Sequence, residues 1–134
     1  MRILVWTHNF WPENFCINEI VQQLCQHSNE VTVLTGKPNY PEGTIFPGYK
    51  AWGISRETYM GADILRLPVI PRRTGSAFDL ILNYLSFIIV GYIFAPFFLK
   101  KKKYDIVFVY GTSPFFQALP AVFMAWVKNA KLVI

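Results

Sequence analysis

Apolar residues along this chain fall in short dense runs separated by polar turns, and their spacing alternates between strand-like and helix-like. The run Ile3-Leu4-Val5-Trp6 within 2–7 is continuous and rich in β-formers, as suits a strand covered on both faces. A polar and aromatic loop follows, and Ile17, Ile20, Val21 and Leu24 then recur at helical spacing. They predict a helix over about 15–27, with Asn14 placed to cap it. Val31, Val33 and Leu34 mark a second strand over 30–35, which completes a β-α-β unit with an expected right-handed crossover.

Residues 36–53 hold Pro38-Asn39, Pro41-Glu42-Gly43 and Pro47-Gly48, turn formers too dense for a helix, so a long ordered loop is predicted. Strands over about 54–59 and 62–69, separated by Met60-Gly61, form a predicted hairpin. An apolar segment over 80–99 leads to a buried strand over 104–110 containing Ile106-Val107-Phe108-Val109. Ser113-Pro114 starts a further helix through Phe115, Leu119, Phe123 and Trp126, with a kink expected at Pro120, and 131–134 opens another strand. The fold class is α/β: a single Rossmann-like domain over 1–134, its mostly parallel sheet flanked by helices on both faces. Because the last residues read as a core strand, the domain is expected to be truncated ahead of a further one.

Composition sharpens this picture at one place. Charged residues make up 16% of the chain and hydrophobic ones 53%, whereas soluble domains carry about a quarter charged residues. The net charge of +5 is concentrated in Arg72-Arg73 and Lys100-Lys101-Lys102-Lys103, the two ends of the apolar segment. Basic clusters bracketing an apolar stretch suit an anionic lipid surface better than nucleic acid, whose binders interleave basic and aromatic residues along a reading face. Cys16 and Cys25, nine residues apart on one predicted helix, project to opposite faces and cannot bond within it. Free thiols suit a reducing compartment, and no secretory leader opens the sequence.

Residues 80–99 carry no formal charge, enough length for a transmembrane helix. Two arguments oppose a span. The strands before and after it belong to one expected sheet, which a bilayer cannot divide, and both flanks are basic. Asn83, Ser86, Gly91 and Pro96 also interrupt the segment, and Tyr84 and Tyr92 favour an interface. Peripheral insertion is the leading expectation, with Arg72, Arg73, Tyr84, Phe87, Tyr92, Phe97, Phe98 and Lys100 to Lys103 touching the membrane. Burial against a missing domain or subunit, and a true span, are the alternatives.

Ligands of open parallel sheets bind beyond the carboxyl ends of the strands, here 8–14, 36–40 and 111–113. The first turn lacks Gly-x-Gly-x-x-Gly and no acid ends the second strand, which disfavours a nicotinamide dehydrogenase or epimerase. His8, Asn9, Glu13 and Asn14 could bind sugar hydroxyls against Phe10 or Trp11, or simply pack the loop. Gly111-Thr112-Ser113 enters a helix N-terminus and suits either an anion or ordinary capping. The sequence shows no Ser-His-Asp spacing, metal-ligand cluster, Walker loop or paired catalytic carboxylates.

Phe10-Trp11-Pro12-Glu13-Asn14-Phe15, Glu30 to Gly36 and Pro38-Asn39-Tyr40-Pro41-Glu42-Gly43, in that order, resemble the amino-terminal domain of family-four retaining glycosyltransferases. Enzymes of bacterial O-antigen and capsule synthesis, including the O-antigen fucosamine transferases, are the most similar in these motifs, and Leu67 to Pro71, Leu82 to Phe87 and Tyr104 to Tyr110 continue the likeness. The resemblance implies the amino-terminal half of a GT-B enzyme. The acceptor, a sugar on a polyprenyl diphosphate, would meet His8 to Asn14, Asn39, Tyr40 and Gly111 to Ser113. A carboxyl-terminal domain with a Glu-x7-Glu motif would hold the nucleotide sugar, with no metal or other cofactor and no catalytic residue in this chain. It further implies peripheral attachment to the cytoplasmic face of the inner membrane. Cys16 departs from the small or basic residue usual in relatives. A non-catalytic membrane-associated binding module is the alternative from another class.

Overall fold

The computed structural model describes residues 1–111 and 115–134 of the 134-residue chain. Among these, β1 (Arg2–Thr7), β2 (Glu30–Gly36), β3 (Ser55–Tyr59), β4 (Ala62–Leu67), β5 (Ile106–Tyr110) and β6 (Lys131–Val133) form one sheet in the order β3-β4-β2-β1-β5-β6. Every neighbouring pair is parallel except the β3-β4 hairpin. Met60 and Gly61, the two turn residues, both have positive φ, 48° and 89°, as a tight hairpin turn matched to strand twist requires. The helices are α1 (Ile17–Gln26), α2 (Ala77–Phe98) and α3 (Leu119–Lys128), the last preceded by a 3-10 turn at Phe115–Ala118. This is the Rossmann-like α/β arrangement expected from the sequence.

Alternation along β1 explains why its apolar run has no gap. Ile3 and Val5 join Val31, Val33 and Ile64 beneath α1, packed by Ile17 and Val21. Leu4 and Trp6 point the other way, into a core closed by α2 and α3 through Phe87, Ala95, Ala121 and Met124. Both faces of the central strands are therefore buried, and a period of two disappears from the sequence.

Three local expectations are corrected. The residue preceding α1 is Cys16, without a side-chain cap, while Asn14 is exposed outside the helix. Pro120 stands in the first turn of α3, where its missing N–H costs nothing, and does not kink a longer helix. Helix α2 begins before the apolar segment proper, because Ser76 accepts a hydrogen bond from the Asp79 amide at 3.2 Å and Asp79 in turn accepts one from Thr74 at 2.7 Å.

Helix α2 joins β4 to β5, which share the sheet but are not neighbours, since β2 and β1 lie between them. It meets the sheet along one stripe of every fourth residue: Asp79, Asn83, Phe87, Gly91, Ala95 and, just past its end, Leu99. Most of its remaining apolar side chains stay in solvent, with Phe78 68% and Phe97 73% exposed. By length and composition it is the one helix among the described residues able to cross a membrane. Its carboxyl end is held by Lys128 of α3, whose Nζ donates to the carbonyls of Leu99, Lys100 and Lys102 at 2.5, 3.1 and 2.7 Å.

Gly91 lets the helix approach β1, since a Cβ there would sit 2.8 Å from Cζ2 of the fully buried Trp6. Gly91→Ala is therefore expected to destabilise the fold by about 2 kcal/mol through overpacking, read as a lowered urea midpoint. A change below about 0.5 kcal/mol, the range of ordinary surface substitutions, would show that the contact is looser than drawn.

Candidate functional site

The loops after β1 and β2 meet at the carboxyl edge of the sheet around one buried carboxylate. Oε1 of Glu13 accepts from the backbone amides of Asn39 and Tyr40 at 2.9 and 2.8 Å and from the side-chain amide of Asn9 at 3.1 Å; Oε2 accepts from the Phe10 amide at 3.1 Å. Burial pushes the Glu13 carboxyl above its ordinary range, and these four donors oppose the shift. Asn18 extends the clamp, its Oδ1 accepting from the Trp11 amide at 2.9 Å and its Nδ2 donating to the Glu13 carbonyl at 2.8 Å.

Asn39 is spent in the same way. Its Nδ2 donates to the Lys37 carbonyl at 3.0 Å, and its Oδ1 accepts from the Arg72 amide at 3.1 Å. Gly43, at φ 78°, passes so close to Arg73 that a Cβ would fall 2.0 Å from the Arg73 carbonyl oxygen, and the two backbones pair through the Arg73 amide at 2.9 Å. The peptide bonds before Pro12 and Pro41 are cis. Glycine and asparagine in the Pro38 to Gly43 motif thus fit the loop to the segment leading into α2.

His8 directly follows β1, with its ring buried against Phe87 and Tyr84, centroids 4.7 and 5.2 Å away. Neither ring nitrogen has a hydrogen-bond partner among the described residues. Burial, reinforced by the nearby Arg72 charge, pushes its pKa down to about 3, so the ring is neutral at physiological pH. Arg72 itself turns inward, over the rings of Tyr40 and Tyr84 at 5.0 and 5.6 Å, and its Nη2 donates to the Tyr84 hydroxyl at 2.9 Å.

A second polar cluster lies at the outer edge of the same surface. Arg66, fully buried within β4, donates to the Gly36 carbonyl at 3.1 Å, to the Trp11 carbonyl and to Glu57, and it lies 5.0 Å from the Tyr49 ring. Lys37, also buried, donates to Ser55 Oγ at 2.8 Å. Burial first, then the Arg66 charge, pushes the Lys37 ammonium down from its ordinary value. Sequence reading missed Lys37, Glu57 and Arg66. The available signal was an arginine inside the apolar run Ile64-Leu65-Arg66-Leu67, which has no place in a buried strand unless it is fully bonded.

The residues expected to meet an acceptor therefore separate into two groups. His8, Asn9, Phe10, Glu13 and Asn39 are buried and shape the loops. Trp11, Asn14, Tyr40 and Gly111 face solvent, with Pro12 half-buried; Trp11 stacks on Tyr59 and Tyr40 leans on Phe15, with ring centroids 5.0 and 5.3 Å apart. Thr112 and Ser113 lie outside the described residues. Of the expected membrane contacts, Arg73, Tyr92, Phe97, Lys100, Lys101 and Lys103 are exposed and Phe98 is half-buried. Phe87 is instead in the core against Trp6, Arg72 and Tyr84 are tied to each other, and Lys102 is paired with Asp63 at 2.7 Å. No group of three potential metal ligands occurs among the described residues.

The fold is a Rossmann-like α/β domain whose carboxyl-edge loops are aromatic and polar, with no glycine-rich dinucleotide turn after β1. No family model matches the chain. It is similar to WcaI of Escherichia coli (strain K12), described as a colanic acid biosynthesis glycosyl transferase, with 31% identity over 96 residues, which is 69% of this chain. The matched part is 23% of WcaI, so the chain spans less than a quarter of that relative's length.

Two outcomes follow from the buried groups. Glu13→Gln puts an amide where the carboxylate accepts from a backbone N–H, and should cost about 2 kcal/mol in urea unfolding; an unchanged midpoint would remove Glu13 as the link between the loops. For His8 the folded pKa of about 3 lies below the ordinary 6.5, so the folded state holds fewer protons between these values. Its contribution to stability is complete above pH 6.5 and is lost as pH falls toward 3, by up to about 1.4 kcal/mol per unit. Between pH 7 and pH 5, His8→Phe should therefore lose about 2 kcal/mol less than the parent chain; parallel losses would place the acid sensitivity elsewhere.

Proposed function

We propose that this chain is the acceptor-binding portion of a membrane-surface glycosyltransferase in bacterial surface-polysaccharide synthesis. It receives a saccharide on a polyprenyl diphosphate, while a carboxyl-terminal domain of GT-B type binds a nucleotide sugar across the cleft. Transfer then proceeds with retention, without a metal, onto an acceptor presented at the cytoplasmic face of the inner membrane. The observation that carries the reading is the similarity to WcaI, 31% identical over 96 residues. Within this reading the O-antigen fucosamine transferases are the nearest functional type.

The geometry supports the division of labour. Trp11, Tyr40 and Gly111 lie at the carboxyl edge of the sheet, where open α/β folds take ligands, and two exposed aromatic rings suit the apolar faces of sugars. Helix α2 leaves Phe78, Ile81, Leu85, Ile89, Ile93 and Phe97 in solvent, an apolar row that α3 continues through Trp126. A row of this kind, with Arg73 at one end and Lys100, Lys101 and Lys103 at the other, suits a helix lying in the headgroup layer. Each exposed cation adds about 1 kcal/mol of attraction to an anionic leaflet.

Two measurements test this. Replacing Lys100, Lys101 and Lys103 by Gln should weaken co-sedimentation with phosphatidylglycerol-containing liposomes by an order of magnitude or more, and unchanged binding would exclude electrostatic docking. The enzyme reading is tested on the protein carrying its carboxyl-terminal domain, by transfer of radiolabelled sugar from a panel of nucleotide sugars to a lipid-linked acceptor. Sugar incorporation that falls at least tenfold in Trp11→Ala supports the acceptor role; intact binding to membranes with no transfer from any donor would favour a non-catalytic module.

A further inference from the structure

Trp52 is 87% exposed, more than any other large hydrophobic side chain among the described residues. It stands in the short loop 50–53 between two fixed points. On one side Tyr49 donates to Glu57 at 3.3 Å and lies 5.0 Å from the Arg66 guanidinium; on the other, Ile54 packs against the core on the α2 side of the sheet. Gly53 has φ 74° with nothing within 4 Å of where a Cβ would sit, so the loop turns outward into open space. A single exposed hydrophobic residue means little, but Trp52 is not isolated. Its ring walls a mainly apolar groove of about 440 Å³ whose other sides are the segment 68–71 and the α2 side chains Ser86 and Val90.

The groove opens beside the outward row of α2, since Val90 stands next to the exposed Ile89. The opposite flank of the helix carries a matching feature. Tyr92, two residues from Val90 and therefore projecting to nearly the opposite side, packs on Phe123 at 5.8 Å, and Phe123 meets Trp126 at 6.2 Å. Trp126 is 79% exposed. Exposed tryptophans thus stand on both flanks of α2, and the apolar surface is wider than one helix. Arg73 is the one charged side chain among the described residues lining the groove, and the exposed Lys50 lies two residues before Trp52. These cations suit an anionic leaflet and oppose a second copy, which would bring like charges together. Indole, with an apolar body and a polar N–H, favours the headgroup layer.

We propose that the loop 50–53 is a second membrane anchor, in which Trp52 enters the headgroup layer of an anionic phospholipid leaflet beside α2. The proposal rests on the reading of α2 as a helix lying on the membrane; that the loop meets the same leaflet rests on the groove they share. Contact through α2 alone would let the domain roll about the helix axis. Trp52 on one flank and Trp126 on the other fix that rotation, and with it the direction in which the carboxyl edge of the sheet faces.

The test places an environment-sensitive nitrobenzoxadiazole label at single sites of the 134-residue chain, with Cys16 and Cys25, its two cysteines, replaced by Ser. Trp52→Cys reports the loop, Ile89→Cys the outward row of α2, and Glu19→Cys the exposed surface of α1 on the opposite face of the sheet. With phosphatidylglycerol-containing liposomes the labels at 52 and 89 should brighten by about twofold or more and be quenched by a lipid-borne nitroxide, while the label at 19 stays unchanged. In unlabelled protein, Trp52→Ala should weaken co-sedimentation by about tenfold, the scale for withdrawing one large apolar side chain from the interface. That loss should persist at about 0.5 M salt, which screens the lysine contribution. The side chain is almost wholly in solvent, so its replacement leaves the fold intact. A response at 89 without one at 52 overturns the second anchor and leaves the docking of α2 standing; a response at 52 without one at 89 overturns the placement of α2 and leaves the loop as an anchor. Silence at both positions overturns both. A label at 52 that brightens with protein concentration alone, without liposomes, assigns the groove to a second copy and overturns the lipid anchor.

Discussion

The structure depends on the fact that β4 and β5, the strands on either side of the most apolar segment, belong to one continuous hydrogen-bonded sheet. A parallel connection between them must return over a face of that sheet, and the return leg is α2. Full burial is limited to a stripe one residue wide in each turn, where Phe87 fills the core and Gly91 lets the helix settle onto Trp6. The 22 residues of α2 correspond to about 33 Å of helix, so a long apolar surface is left facing outward while both of its ends stay fixed to the domain. Fold and membrane proposal thus share one cause.

The loops at the carboxyl edge are organised by buried polar groups that satisfy backbone donors and acceptors. Glu13 takes the amides of two loops, Asn39 bridges to the segment leading into α2, and Arg66 reaches carbonyls of both Gly36 and Trp11. Each of these side chains resembles a catalytic or binding residue when read in isolation. Their bonding shows that they hold the surface in shape, while the rings of Trp11 and Tyr40 stay exposed.

Much of the fold was legible because the sheet writes itself directly into composition. Ile3 to Trp6 and Ile106 to Val109 read as continuous apolar runs because both faces of those strands are covered, and Met60-Gly61 read as a turn because both residues adopt positive φ. Element boundaries were less legible. Asn14 has the chemistry of a cap but lies outside α1, since the Glu13 clamp fixes the loop one turn earlier, and Pro120 begins α3 where a kink was expected. The site was legible only by position. Sequence places His8, Glu13 and Tyr40 on loops at the carboxyl edge of the sheet, but which of them is buried depends on partners 26 or more residues away, as with Glu13 and Asn39. Phe87 was misassigned to the lipid face because a helix that is apolar all round does not reveal which stripe meets the sheet.

The central claim is that α2 lies along a membrane with both ends on the same side. Cysteine accessibility tests it most directly, in the protein carrying its carboxyl-terminal domain, with Cys16 and Cys25 replaced by Ser and single Arg73→Cys and Lys100→Cys substitutions introduced. In inverted inner-membrane vesicles, a membrane-impermeant maleimide should label both positions equally. Labelling of only one of the two, with the other reached solely from the periplasmic side of spheroplasts, would mean that the helix crosses the bilayer and would contradict this reading of the fold.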